Sequence, residues 1–222
     1  MEIICLLGAM FLIIAIVALI LMAVFSHQKA KQRETERRQW AAANGFHYVP
    51  GFVNLPDASI RSPFRSSGRN SNFFEGGFHG HRARAFVHTY TTTRRDNEGR
   101  RQEQVHRYAV AAVAHAAGPN LHLDIAPQGI FGRLADKLGF GVLTGDVEFD
   151  RAFKVRSGDE FQARSVLRPE ATAWISQDPR FRNSAVRFEY GWVMVWYPGH
   201  LNVGHLSLQF AFLADIASRL RA

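Results

Sequence analysis

Residues 3–25 run for 23 positions without a charged side chain, and a segment carrying Lys29, Lys31, Arg33, Arg37 and Arg38 follows at once. As a helix rising about 1.5 Å per residue, the run is roughly 35 Å long, against about 30 Å for a bilayer's hydrocarbon core. It contains fifteen Leu, Ile, Val and Phe residues. The pattern predicts an uncleaved transmembrane anchor over 1–25. A signal peptide would have a basic start and an apolar core of about 7 to 15 residues, whereas this chain opens Met1-Glu2. A lipoprotein is excluded because Cys5 lies at the start of the run.

The five basic residues predict a membrane-surface contact on a helix over 26–45. Lys and Arg accumulate on the cytoplasmic side, so the N-terminus is expected outside, the remainder in the cytoplasm, and the chain at the plasma (inner) membrane. The lipid bilayer is then the first partner, with a membrane or cytoplasmic protein as the second. The single cysteine leaves no disulfide within the chain. Arginine outnumbers lysine 23 to 4, a bias that a GC-rich genome produces without ligand selection.

Residues 46–222 suffice for one medium domain with its own core. Gly45 suits the left-handed position closing the first helix. An extended piece at 46–49 precedes an irregular connection over 51–72 rich in Gly, Pro, Ser and Arg. Alternation predicts a hairpin of strands at 73–78 and 82–91 turning at Gly80, and further strands at 105–115 and 121–125. A short helix is expected at 132–138 and an extended edge segment at 147–156. Ser157 or Asp159 can cap the next helix, Pro169 opens another, and 185–197 reads as one central strand apolar on both faces. A last helix, from near Asn202, carries Leu206, Phe210, Leu213, Ile216, Ala217 and Leu220 on one stripe. The expected fold is α+β: a single transmembrane helix, then one domain with a mostly antiparallel sheet and packed helices.

The spacing Phe149, Phe153, Val155, Ser157, Asp159, Ala163, Leu167, Pro169 resembles the signature of an uncharacterised bacterial family, a domain of unknown function found behind transmembrane segments. Trp40, Gly45, Phe46 and Tyr48 are similar to its actinobacterial members. The resemblance implies packing and capping roles for these residues and brings no activity or catalytic residue.

Local chemistry is sparse. His79, His81 and His88 could gather for a metal, but a first shell needs three or four ligands and Gly80 is better read as a turn. Asp146, Glu148 and Asp150 would line one strand face, near Arg151 and Lys154. The Gly-bearing stretch Gly139, Gly141, Gly145 lacks the Walker pattern, and no Rossmann, Gly-x-Ser-x-Gly or His-Glu-x-x-His pattern occurs. Arg61, Arg65, Arg69, Arg94, Arg95, Arg100 and Arg101 fall in expected loops, the last four interrupted by Asp96, Glu98 and Glu103. No recognised nucleic-acid module accompanies them, so no nucleic-acid partner is expected, and a plain solvated loop is their simplest reading. No catalytic, cofactor or metal residue is assigned. The function read from sequence is a membrane-anchored binding or regulatory domain. The alternative is a membrane-bound, hydrolase-like enzyme with a site assembled from dispersed His, Asp and Arg.

Overall fold

The computed structural model describes residues 2–55, 68–95, 99–116, 121–129 and 140–220, with side chains from residue 16 on except that of Phe140. The chain divides into two units, Met1–Asn44 and Gly45–Ala222.

The first unit is one helix, α1 (Glu2–Asn44). Among the described residues no helix is long and apolar enough to cross a membrane. Residues 16–25 supply ten described apolar positions, about 15 Å of helix, or half a hydrocarbon core. From His27 onward charged and polar side chains dominate, and Arg38 closes a helical i, i+4 pair with Glu34 at 3.0 Å. The expected transmembrane anchor over 1–25, the single-pass topology and the inner-membrane, N-outside placement are therefore corrected. α1 runs unbroken through residues 25 and 26, and Gly45 follows it with φ +70°.

Among the described residues, the second unit is built on a nine-stranded antiparallel sheet with helices against it. Its strands are β1 (His47–Val53), β2 (Arg69–Phe78), β3 (His81–Arg95), β4 (Arg101–Ala114), β5 (Leu123–Pro127), β6 (Phe140–Val142), β7 (Phe153–Ser157), β8 (Val186–Glu189) and β9 (Trp192–Pro198). They lie in the order β1-β2-β3-β4-β9-β8-β5-β7-β6. The helices are α2 (Val147–Ala152), α3 (Glu160–Val166), α4 (Pro169–Gln177) and α5 (Val203–Arg219), with a 3-10 turn at Pro179–Asn183.

Strand alternation gives the sheet two unlike faces. On one, α5 buries Leu206, Phe210, Leu213 and Ile216. Phe210 stacks on Phe46 at 5.3 Å, and a Cβ on Gly76 would stand 2.8 Å from the Phe46 ring, so that strand position needs glycine. Asn202 caps α5 by accepting from the Gly204 amide at 3.0 Å. The other face carries a second buried cluster of Phe73, Phe86, Val110, Trp192, Met194 and Trp196.

Two strand expectations change. Residues 147–156 split into α2 and β7, because Asp146 accepts from the Phe149 amide at 3.1 Å and so starts a helix. Residues 185–197 form a hairpin, β8 and β9, folded at Tyr190 (φ +53°) and Gly191 (φ +80°). Two successive left-handed residues are what a tight hairpin turn of this hand requires. The helix expected at 132–138 lies outside the described residues.

Candidate functional site

Asp124 on β5 is the register partner of both Arg187 on β8 and Arg156 on β7, so all three side chains leave the same sheet face. Glu189, two residues on along β8, shares that face, and His122, immediately before β5, joins it in lining the same cavity. Asp124 accepts two hydrogen bonds from Arg187, 2.6 Å from Nε to Oδ1 and 2.9 Å from the second nitrogen to Oδ2. Both side chains are at most 9% exposed. The Arg187 guanidinium also lies 5.5 Å from the Trp196 ring centroid.

Glu189 is 12% exposed and stands 3.6 Å from His122 Nδ1 and 3.9 Å from Arg187. Burial raises its pKa above the ordinary carboxylate value, opposed by the charges of Arg187 and His122 and assisted by Asp124. The turn holds the Tyr190 ring edge-on to His122 at 5.2 Å. These residues, with Ser157, Gly158 and neighbouring backbone, line a cavity of about 250 Å³. The Ser157 hydroxyl lies 2.7 Å from the His122 carbonyl and 2.8 Å from that of Asp159, and accepts from the Asp159 amide. It therefore braces the β7–α3 corner, and none of these contacts involves an imidazole that could activate it.

The sites expected from sequence are otherwise dispersed. Among the described residues no three His, Cys, Asp or Glu are grouped to hold a metal ion. His79 and Gly80 form a left-handed turn, His81 faces Ser218 at 3.4 Å, and His88 is buried against Asn70 at 2.8 Å. Asp146 caps α2, and its carboxyl is held below the usual range by the Phe149 amide and the Thr172 hydroxyl. Asp150 accepts from the Thr144 and Gly145 amides, while Glu148 pairs with Arg151 at 3.0 Å. These three carboxylates hold a helix start and its loop. Gly139 lies outside the described residues, as do Arg61, Arg65, Asp96 and Glu98. Arg94, Arg95 and Arg101 occupy the exposed end of the β3–β4 hairpin rather than a loop.

A ladder of rings, His106–Tyr90–Tyr108, runs along that hairpin with centroids 4.8 Å and 6.2 Å apart. Burial and the Tyr108 hydroxyl push the Tyr90 phenol up to about 12. A phenol so weakly acidic is no general base near neutral pH. On α1, Lys29, Lys31, Arg33 and Arg38 are exposed, whereas Arg37 is 9% exposed.

The fold and this cluster define an antiparallel α+β sheet domain with a small, mixed-charge cavity beside its β8–β9 turn. No family profile and no curated protein matches the chain. A solved structure does: the crystal structure of the mycobacterial trehalose monomycolate transport factor A, TtfA, superimposes with a TM-score of 0.57 at 16% identity. The match covers 83% of this chain and 92% of that one. At that identity the likeness shows the fold.

Proposed function

We propose that this chain is an accessory factor in lipid-associated transport, acting by binding rather than by chemistry on its cargo. The observation that carries the reading is the fold shared with the mycobacterial transport factor over most of both chains. The cargo in this reading is a glycolipid of the trehalose-monoester class. The mixed-charge cavity supports it, because it offers polar contacts without an activated nucleophile. Lys29, Lys31, Arg33 and Arg38 would meet anionic lipid headgroups, each contributing about 1 kcal/mol at the surface. Membership of the uncharacterised bacterial family that the Phe149–Pro169 stretch resembles belongs to the same proposal.

The test is deletion of the gene in its host, followed by pulse-labelling of envelope glycolipids. The expected result is accumulation of an unexported glycolipid, reversed by the wild-type gene. Unchanged export in the deletion strain overturns the reading.

A further inference from the structure

We propose that the cavity between β7, β5 and β8 binds one uncharged, hydroxyl-rich sugar ring, supplied either as a free sugar or as the headgroup of a glycolipid. The inference deepens the lipid-associated role proposed above and rests on it for the identity of the cargo.

Size comes first. About 250 Å³ falls below the roughly 300–1,000 Å³ of pockets that enclose drug-sized ligands. A single ring fits, and a long acyl chain must stay outside. Charge comes second. The lining holds two carboxylates, Asp124 and Glu189, and two guanidiniums, Arg156 and Arg187. A phosphate site concentrates cationic or backbone donors, and a divalent cation site concentrates oxygen ligands. A balanced set favours neither. It does suit hydroxyl groups, each of which donates once and accepts twice.

The third observation is the state of Glu189. Its distances to His122 and Arg187, 3.6 and 3.9 Å, exceed those of good hydrogen bonds. A carboxylate this buried gains from a donor placed within about 3 Å, which a ligand hydroxyl in the cavity supplies. Asp124 is already committed to Arg187, and that pair fixes the floor. Tyr190, 44% exposed at the turn, presents its ring at the rim, where the apolar C–H face of a sugar can rest against it. An amphipathic aromatic of this kind makes contact at low entropic cost.

Calorimetric titration of the full chain with D-trehalose, and separately with a trehalose monoacyl ester in micelles, tests the assignment. Saturable binding of the free sugar is expected with a Kd near 1 mM, in line with a weak single-ring contact. Binding of the ester alone also supports the site if Glu189→Gln weakens it at least tenfold, and it then names the glycolipid as the source. Tyr190→Asn, which tolerates the left-handed turn, should weaken either ligand while melting behaviour is kept. Three results overturn the proposal: no saturable heat with either ligand, unchanged affinity in a folded Glu189→Gln chain, or displacement of the sugar by inorganic phosphate. Failure here with altered glycolipid export on deletion refutes the site alone. Sugar binding with unchanged export refutes the transport role alone.

Discussion

Asp124 and Arg187 face each other across β5 and β8 and close a bidentate ion pair at 2.6 and 2.9 Å with almost no exposure to solvent. Removing one member leaves the other charged and desolvated, which typically costs about 3–5 kcal/mol. Asp124→Ala should therefore lower the denaturant midpoint sharply. The double replacement Asp124→Leu with Arg187→Met should recover most of that loss, since a packed apolar pair is often as stable as a buried ionic one. A double variant no more stable than the single one would mean that the pair's neighbours, not its charges, set the cost.

Glu189 and Asp178 should move stability in opposite directions with pH. Burial raises the Glu189 pKa, so its contribution is fully present below about pH 4.5, its ordinary value, and is lost as pH rises through the higher folded value. Glu189→Gln should flatten that decline in thermal scans between acid and neutral pH. The Asp178 carboxyl is lowered by its hydrogen bond to Arg180, against burial. Its contribution is present above its ordinary value of 3.8 and is lost as pH falls through the lower folded value. Asp178→Asn should blunt acid unfolding and leave the neutral-to-alkaline limb unchanged in shape.

Phe149 and Phe153 stack at 5.1 Å beneath the helices and are 0% and 5% exposed. Phe153→Ala should cost about 3–5 kcal/mol by cavity formation. Asp159 caps α3 by accepting from the Gln162 amide at 3.1 Å, so Asp159→Ala should cost about 0.5–2 kcal/mol. Chemical denaturation of the two variants gives the ordering directly, and the reverse order would contradict the assigned roles.

Gly76 lies under the Phe46 ring, where an added Cβ would come within 2.8 Å. Gly76→Ala should destabilise by about 1–3 kcal/mol, the usual cost of overpacking. Gly76→Ala combined with Phe46→Leu should fare better than Gly76→Ala alone if the ring is the obstacle. Additive losses in thermal melts would place the strain elsewhere.

Features with a local cause were legible in the sequence. The stripe from Leu206 to Leu220 and the cap at Asn202 specify α5, and the His79–Gly80 pair specifies the β2–β3 turn. The β8–β9 hairpin was hidden, because apolar residues on both sides of Tyr190–Gly191 looked like one buried strand. The cluster around Asp124 was missed because its members come from β5, β7 and β8, whose pairing no short-range pattern encodes. A signal was nevertheless present: Asp124 and Arg187 are charged residues inside otherwise buried strands, and such charges need partners. The transmembrane expectation rested on the apolar run over 3–25, whereas among the described residues no helix is long and apolar enough to cross a membrane.

Photo-crosslinking in the living host with a photoactivatable trehalose monoester measures most directly whether this chain handles a glycolipid at the β5–β8 cavity. The expected crosslinked peptides contain residues 121–127, 153–158 and 186–192, and their yield falls when Glu189→Gln replaces the wild type. A probe that labels other envelope proteins heavily but leaves this chain unlabelled, or labels it equally in both forms, contradicts the account.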